Sequence, residues 1–151
     1  MVRTRAPRFD EYSTTSCASS RVMKSNRSKN TTPEMLIRSA LWARGYRYRL
    51  HITTLPGKPD IVFPSSRVAV FVDGDFWHGK DWTTRKLLLE SGSNSEYWVD
   101  KISYNIDRDC RVNDSLSELG WTVVRIWESD VESDCEREGQ KIVEVLDSAR
   151  R

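Results

Sequence analysis

The chain has 151 residues, of which 38% are hydrophobic and 30% are charged, and its formal net charge is +2. These values are typical of one globular domain that is large enough to bury a core. No apolar stretch approaches the roughly 20 residues of a membrane span, and the N-terminus has no signal-like apolar segment, so we expect a cytoplasmic protein. Three widely spaced cysteines without a CxxC pair indicate neither a disulfide framework nor a cysteine zinc site.

Basic residues crowd the first third of the chain, whereas the segment 128–138 is predominantly acidic. A basic region is the expected footprint of a nucleic-acid-binding protein, because phosphate contacts supply most of the sequence-independent affinity. A solubilising tail is the alternative interpretation of such a run. Residues 1–30 hold hardly any large apolar side chain, which predicts a basic arm that is disordered until it meets its partner. A single folded domain is then predicted over 31–151.

The folded domain is predicted to begin with a helix. Thr31 or Thr32 can cap it, Pro33 suits its first turn, and its apolar stripe stops at Gly45. Over 46–52 the side chains alternate between apolar and basic, which predicts a strand with one basic face.

The remaining elements follow from apolar runs and their punctuation. They are strands over 61–63, 68–72 and 121–127, a short helical piece over 86–89, one long or two broken helices over 96–119, and a closing helix over 141–146. This order predicts an α/β sandwich with a mixed sheet and helices on both faces.

Two carboxylates lie at predicted strand ends. Asp60 follows Pro59 at the start of one strand, and Asp73 leaves the next strand just before Gly74. With 65–66 as the turn, we expect both carboxylates at the same sheet end, where they can share a magnesium ion, because this ion demands oxygen ligands. The alternative is a pair of aspartates that merely cap turns.

Aromatic residues and a histidine follow directly. His78 can take a proton from water or shield developing negative charge near a phosphate, although a packed loop residue is the alternative. Phe76 and Trp77 are adjacent large aromatics on a loop and cannot both face the core. In a nuclease such side chains stack on bases or push between them, and Trp82 and Trp98 can join them.

Two polar residues interrupt the apolar face of the long helix. Asn105 and Asp109 lie at helical spacing from its apolar residues, and buried polar groups need partners. Either they form an internal hydrogen-bond network, or they support His78 and the metal-binding carboxylates from behind.

These residues belong to a longer series of motifs that runs from Ser20 to Glu128. The series reads Ser20-Arg21-Val22-Met23, Thr32-Pro33-Glu34, Arg38, Gly45-Tyr46-Arg47, Leu55-Pro56-Gly57-Lys58-Pro59-Asp60, Phe71-Val72-Asp73-Gly74, Phe76-Trp77-His78-Gly79, Tyr97-Trp98, Lys101-Ile102, Asn105, Arg108-Asp109, Leu119-Gly120-Trp121 and Trp127-Glu128. In order and spacing it closely resembles the very short patch repair (Vsr) endonucleases.

The resemblance implies a restriction-endonuclease-like fold of the PD-(D/E)XK type, with a mixed central sheet and helices on both faces. It implies a magnesium-dependent nick of double-stranded DNA on the 5′ side of the thymine in T:G mismatches, which arise when 5-methylcytosine deaminates. A monomer in the nucleoid, associated in function with a cytosine-5 methyltransferase, is expected on the same basis.

The resemblance also assigns the catalytic site. Asp60 is the implied metal ligand, the Val72 carbonyl completes the protein coordination, and Glu34 holds a metal-bound water. His78 matches the family's catalytic histidine. Asp73 occupies a position that is histidine in some members, so it is either the base or a group that orients water.

The implied DNA contacts are an aromatic wedge beside the mismatch and a basic arm that clamps from the other groove and folds on binding. They comprise Phe76, Trp77, Trp98, Met23, Arg21, Lys24 and Lys58.

One departure from the family concerns a structural zinc, which several members hold with cysteines and a histidine. The matching positions here are Asp75, Lys80, Trp82 and Ser129, none of which is a thiol or an imidazole. We therefore expect no structural zinc, and we expect packing of Trp82 and an Asp75 contact to Lys80 in its place.

Two other functions are kept as alternatives. A related restriction-like or defence nuclease would cut DNA without a mismatch, and no motif excludes it. A DNA-binding module without catalysis is disfavoured because Asp60, Asp73, Glu34 and His78 are all present.

Overall fold

The computed structural model of the chain describes residues 4–12 and 29–150. Two compact units are present, one comprising Met1–Arg27 with Phe76–Asp109 and the other comprising Ser28–Asp75 with Cys110–Arg151. The predicted DNA contacts Arg21, Met23 and Lys24, and most of the predicted arm, lie outside the described residues.

The first helix of the second unit, α1, covers Thr32–Ala43 and begins and ends as its sequence predicts. The Thr31 hydroxyl accepts a hydrogen bond from the backbone N–H of Glu34 at 3.4 Å, which satisfies one of the unpaired donors of the first turn. Gly45 then takes a left-handed conformation, with φ +89°, and ends the helix.

A four-stranded mixed sheet forms the centre of this unit. Its strands are β1 (Arg49–Leu50), β2 (Ile61–Phe63), β3 (Val68–Asp73) and β4 (Thr122–Trp127), in the order β1-β2-β3-β4. The first two pairings are antiparallel and the third is parallel. All of β2 and nearly all of β3 are buried, as the continuous apolar runs predict.

Strand β1 is much shorter than the predicted 46–52. The N–H groups of Gly45 and Tyr46 donate to the carbonyls of Trp42 and Leu41, at 3.0 and 3.1 Å, in the Schellman pattern that closes a helix. Tyr46 therefore belongs to the helix cap. At the other end of the strand His51 has φ +48°, which stops the extended conformation.

The acidic segment after β4 is helical. It contains α4 (Glu128–Ser133), which the sequence pattern does not predict, and α5 (Cys135–Ala149), which is longer than the predicted 141–146. The Asp134 carboxylate caps α5 by accepting the N–H of Arg137 at 3.0 Å. Acidic residues in the first turn of each helix also interact favourably with the positive end of its dipole.

Helices cover both faces of the sheet, because neighbouring residues of a strand point to opposite sides. On one side Val68 and Val70 belong to a buried cluster with side chains of α1 and α5. On the other side Ala69 and Phe71 pack with Leu116. Leu116 lies on helix α3 (Ser95–Glu118), whose residues from Cys110 onward belong to this unit.

The first unit contains α2 (Trp82–Glu90) and the part of α3 up to Asp109. Of the two possibilities for 96–119, one continuous helix is present. From the predicted arm, the rings of Phe9 and Tyr12 pack edge-on against Tyr97 at centroid distances of 4.9 and 5.3 Å. Within the described part of the chain, no helix combines the length and the apolar character that crossing a membrane requires.

Candidate functional site

A group of side chains with the spacing to hold a metal ion lies in the second unit. It consists of Glu34, His51 and Asp60, whose ligand atoms all lie within 4.8 Å of one another. Glu34 comes from the first turn of α1, His51 follows β1, and Asp60 directly precedes β2. Of the three, sequence reasoning identifies Glu34 and Asp60 but misses His51.

The pairing of β1 with β2 explains how His51 reaches Asp60. Leu50 is opposite Ile61, so the next pair outward is His51 with Asp60. The ladder continues there, because the His51 N–H donates to the Asp60 carbonyl at 3.2 Å. Cross-strand neighbours of this kind bring side chains into contact. The sequence predicts the two strands but not the register that makes His51 a neighbour of Asp60.

The carboxylate of Asp60 is held by the adjoining strand. The backbone N–H of Val72 donates to its Oδ2 atom at 2.9 Å, and the Asp60 N–H donates to the carbonyl of Val70 at 3.0 Å. Backbone and side chain are therefore both fixed against β3. Such a carboxylate is oriented before any ligand arrives.

Glu34 is buried, with 2% of its surface exposed. Its Oε2 atom accepts the Asn30 N–H at 2.9 Å. Its Oε1 atom lies 3.0 Å from His51 Nε2 and 3.6 Å from an Arg38 guanidinium nitrogen, yet has no hydrogen bond of normal geometry within the described residues. These two nitrogens are close to Oε1 but not aligned for a hydrogen bond, so the buried oxygen is incompletely satisfied. Together with Asp60, this oxygen suits a divalent cation.

Asp73 lies at the same sheet end as Asp60, as predicted, because β2 begins where the antiparallel β3 ends. The group around Asp60, however, takes Glu34 and His51 as its members rather than Asp73. Asp73 is buried, and both of its carboxylate oxygens lie near the Arg125 guanidinium, at 3.1 and 3.0 Å.

Arg125 is a second residue that sequence reasoning misses. Its Nε atom donates to Asn113 Oδ1 at 2.7 Å, and its guanidinium carbon lies 4.1 Å from the centre of the Phe71 ring. The arginine thus connects β4, β3 and α3 within this unit. A charged residue in the middle of an otherwise apolar strand is the sequence signal for such a buried partner.

The loop that leads to Asp60 carries Lys58. The Lys58 N–H donates to the carbonyl of Leu55 at 3.2 Å and closes a turn, in which the lysine side chain is exposed. Gly57, with φ +74°, packs so closely on α3 that a Cβ atom there would lie 2.4 Å from a methyl carbon of Val112. Only glycine fits this approach.

In the first unit, His78 is joined to Asp109. Its Nδ1 atom lies 2.5 Å from Asp109 Oδ2, and both side chains are mostly buried. A carboxylate at Nδ1 favours the tautomer that carries the proton there, which leaves Nε2 as the proton-accepting atom. One helical turn earlier, the Asn105 amide donates to the carbonyl of Trp77 at 2.7 Å. The two polar residues of α3 thus contact the loop that holds His78.

Three aromatic rings pack beside this histidine in sequence. Phe76, Trp77 and Trp98 contact one another edge-on, with centroid distances of 5.2 to 5.8 Å. Phe76 and Trp77 are half-buried, while Trp98 is 6% exposed and packs on Tyr97. Trp98 thereby supports the other two rings, and its own contact with DNA stays a prediction.

Burial perturbs two titratable groups at the start of α3. It raises the pKa of Tyr97, which packs against Trp98. It lowers the pKa of Lys101, and repulsion from Arg108 lowers that pKa further.

Two of the positions that match zinc ligands in the family contact each other. Asp75 Oδ1 accepts the backbone N–H of Ser129 at 3.2 Å. The side chain of Asp75 therefore has a structural use at the end of β4. Lys80 and Trp82 belong to the other unit, and the contact between Asp75 and Lys80 stays a prediction.

Comparison with known proteins identifies the family. The model of the family described as DNA mismatch endonuclease Vsr matches residues 10–84. A type II nicking enzyme of Neisseria meningitidis serogroup C is 50% identical over 109 residues, which are 72% of this chain and 72% of that protein. A type II nicking enzyme of Haemophilus parainfluenzae is 45% identical over 107 residues, or 71% of this chain and 74% of the relative.

A further relative carries the family's own name. The DNA mismatch endonuclease Vsr of Escherichia coli strain K12 is 34% identical over 109 residues, which are 72% of this chain and 68% of that protein. The matches to these relatives cover about two thirds or more of both chains, and the segment 10–84 that matches the family model holds Glu34, Asp60 and His78. The chain therefore belongs to the Vsr family of DNA mismatch endonucleases, and it is a DNA endonuclease.

Proposed function

We propose that this endonuclease nicks double-stranded DNA on the 5′ side of the thymine in T:G mismatches and that it requires magnesium. The names of its relatives, a mismatch endonuclease and several nicking enzymes, support the substrate and the single-strand cut. The mixed sheet with carboxylates at one end supports the proposed restriction-endonuclease-like fold.

The observation that carries the proposal is the buried Glu34 oxygen, which has no hydrogen bond to any described residue, beside the fixed carboxylate of Asp60. Asp60 and the Val72 carbonyl would hold the ion, and Glu34 would contribute directly or through a water molecule. A magnesium ion so bound activates water and neutralises charge on the leaving oxygen. The protein's part is to keep these oxygens in place before the ion and DNA arrive.

His78 is proposed as the group that moves a proton. Asp109 fixes the imidazole through Nδ1, so Nε2 is the atom that takes the proton from water or donates it to the leaving oxygen. Asp73 is proposed as a positioning residue, because the Arg125 guanidinium already engages both of its oxygens.

Phe76 and Trp77 are proposed to wedge between bases beside the mismatch. Their rings are half-buried and rest on Trp98, so a supported aromatic surface is available for stacking. Lys58 and the basic arm with Arg21, Met23 and Lys24 would contact the backbone and the other groove. We propose that a monomer does this in the nucleoid, in association with a cytosine-5 methyltransferase.

A nicking assay tests the proposal. End-labelled duplexes that differ only in a T:G or T:A pair are incubated with the protein, with and without Mg²⁺. We expect a single nick 5′ of the thymine, only with T:G and only with Mg²⁺. Asp60→Asn should lose cutting by orders of magnitude and keep DNA binding. Asp114→Asn, a change to an exposed aspartate of the same unit, is the matched control and should cut normally.

The assay also separates the alternatives. Equal cutting of T:G and T:A duplexes would refute the mismatch requirement and favour a restriction-like or defence nuclease. Binding by the wild type without any cutting would favour a module without catalysis.

A further inference from the structure

His51 has no part in the proposed reaction, although its imidazole lies within 4.8 Å of the carboxylates of the two residues that would hold the ion. It is one of only two histidines in the chain, and the other, His78, belongs to the first unit. The β1–β2 register places His51 opposite Asp60, and its Nε2 atom lies 3.0 Å from Glu34 Oε1 and 3.3 Å from Asn30 Oδ1.

The spacing of these atoms suits a coordination sphere. Adjacent ligands of an octahedral ion with bonds of about 2.1 Å lie about 3.0 Å apart, which is the length of an octahedron edge. The Nε2–Oε1 distance is 3.0 Å. The ligand atoms of Glu34, His51 and Asp60 also all lie within 4.8 Å of one another, so one ion can reach all three.

A hydrogen bond between His51 Nε2 and Glu34 Oε1 explains their short distance less well than a shared cation does. Glu34 Oε1 is buried and lacks a hydrogen bond of normal geometry within the described residues, even though Nε2 is close enough to make one. The contact of Nε2 that has hydrogen-bond geometry is instead to Asn30 Oδ1, and at 3.3 Å it is longer than the usual range and leaves the Glu34 oxygen unsatisfied within the described residues. A cation bound by both atoms would satisfy the oxygen and use the nitrogen lone pair.

We propose that His51 Nε2 is a third side-chain ligand of the divalent cation, and that Glu34 Oε1 binds the same ion directly. The inference rests on the proposed function only for the presence of a cation at Asp60 and Glu34. An imidazole suits transition metals, whereas magnesium prefers oxygen. The site should therefore take Mn²⁺ or Co²⁺ more tightly than a site built from carboxylates and carbonyls alone.

Mn²⁺ gives a direct readout, because a nitrogen atom bound to the ion modulates its electron spin echo. Electron spin-echo envelope modulation spectroscopy detects this nitrogen modulation. The full chain is loaded with one equivalent of Mn²⁺ in the absence of DNA. Its Mn²⁺ affinity is measured by titration, in which the paramagnetic signal reports the concentration of free Mn²⁺. The wild type should show nitrogen modulation typical of a bound imidazole.

His51→Gln and His78→Gln form a matched pair, since each removes one imidazole. His51→Gln should lose the nitrogen modulation and at least about tenfold in Mn²⁺ affinity, with a smaller change for Mg²⁺. His78→Gln should keep the modulation and the Mn²⁺ affinity. Circular dichroism checks that both variants are folded.

The wild-type spectrum alone can overturn the inference. Bound Mn²⁺ without nitrogen modulation refutes the ligand role even if His51→Gln fails to fold, and so does modulation that persists in His51→Gln. A wild type that does not bind Mn²⁺ at all also refutes it.

The nicking assay separates the two proposals. Modulation that depends on His51 in a protein that does not prefer T:G refutes the proposed substrate and leaves the ligand assignment intact. Magnesium-dependent nicking at T:G without the modulation supports the proposed substrate and refutes the ligand assignment.

Discussion

The loop that precedes Asp60 should be highly sensitive to one added methyl group. Gly57 has a left-handed backbone, and a Cβ atom on it would lie 2.4 Å from Val112 Cγ1 and 3.3 Å from a Phe71 ring carbon. Valine is stiff about its first side-chain bond, so its methyl group cannot swing away at low cost. Gly57→Ala therefore forces the loop or helix α3 to shift.

Two terms determine the magnitude. The left-handed backbone costs an alanine about 1–2 kcal/mol, and overpacking adds about 1–3 kcal/mol. Gly57→Ala should then lower the free energy of unfolding by about 2–5 kcal/mol. Gly45→Ala is the matched control, because Gly45 has φ +89° in the same unit and its added Cβ would meet nothing within 4 Å. It should lose only the backbone term, about 1–2 kcal/mol.

Urea unfolding followed by tryptophan fluorescence measures both variants. The packing term is isolated by repeating Gly57→Ala in a Val112→Ala background, where the obstructing methyl groups are gone. We expect the loss to shrink there, with a coupling energy of about 0.5–3 kcal/mol. Equal losses for the Gly57 and Gly45 variants, together with zero coupling to Val112, would refute the close approach.

Three further outcomes are expected. Asp109→Asn should lower kcat about 10–100-fold with little change in DNA binding, because His78 loses the carboxylate that orients it; an unchanged kcat in single-turnover nicking would contradict this. Arg125→Met should destabilise the fold by about 3–5 kcal/mol in urea unfolding, since it leaves the buried Asp73 without this guanidinium. Adding Asp73→Asn should recover part of that loss, whereas additive losses would argue against a coupled pair. Phe76→Ala or Trp77→Ala should reduce the T:G to T:A rate ratio, and an unaltered ratio would disprove the wedge.

The elements governed by local chemistry could be predicted from the sequence. Helix α1 has its cap, its proline and its terminal glycine in the expected order, and β2 and β3 are continuous apolar runs. At the end of α1 the local sequence pattern no longer predicts the structure. Alternation over 46–52 predicts an extended segment, but it does not tell which carbonyl receives the Tyr46 N–H, and here that carbonyl belongs to the helix.

The residues of the candidate site also fall into two groups, those that the sequence predicts and those that it does not. Asp60, Glu34 and His78 are predicted by residue type and by resemblance, and each has a defined environment in the structure. His51 and Arg125 are missed because their importance depends on partners that single-strand patterns do not name. His51 requires the register between two strands, and Arg125 requires the parallel pairing that brings Asp73 near.

Asp60 and Asp73, at the same sheet end, have contacts that lie at different distances along the chain. Asp60 is grouped with Glu34 and His51 and accepts the Val72 N–H, and Glu34 accepts the Asn30 N–H, so these contacts span only residues 30–72. The Arg125 partner of Asp73 comes from 52 positions later, after the whole of α3. Loop-closure entropy rises with separation along the chain, and pairing between distant segments forms more slowly. The group of Glu34, His51 and Asp60 can therefore form early, from segments close in the chain, while Asp73 meets Arg125 only when the last strand joins the sheet.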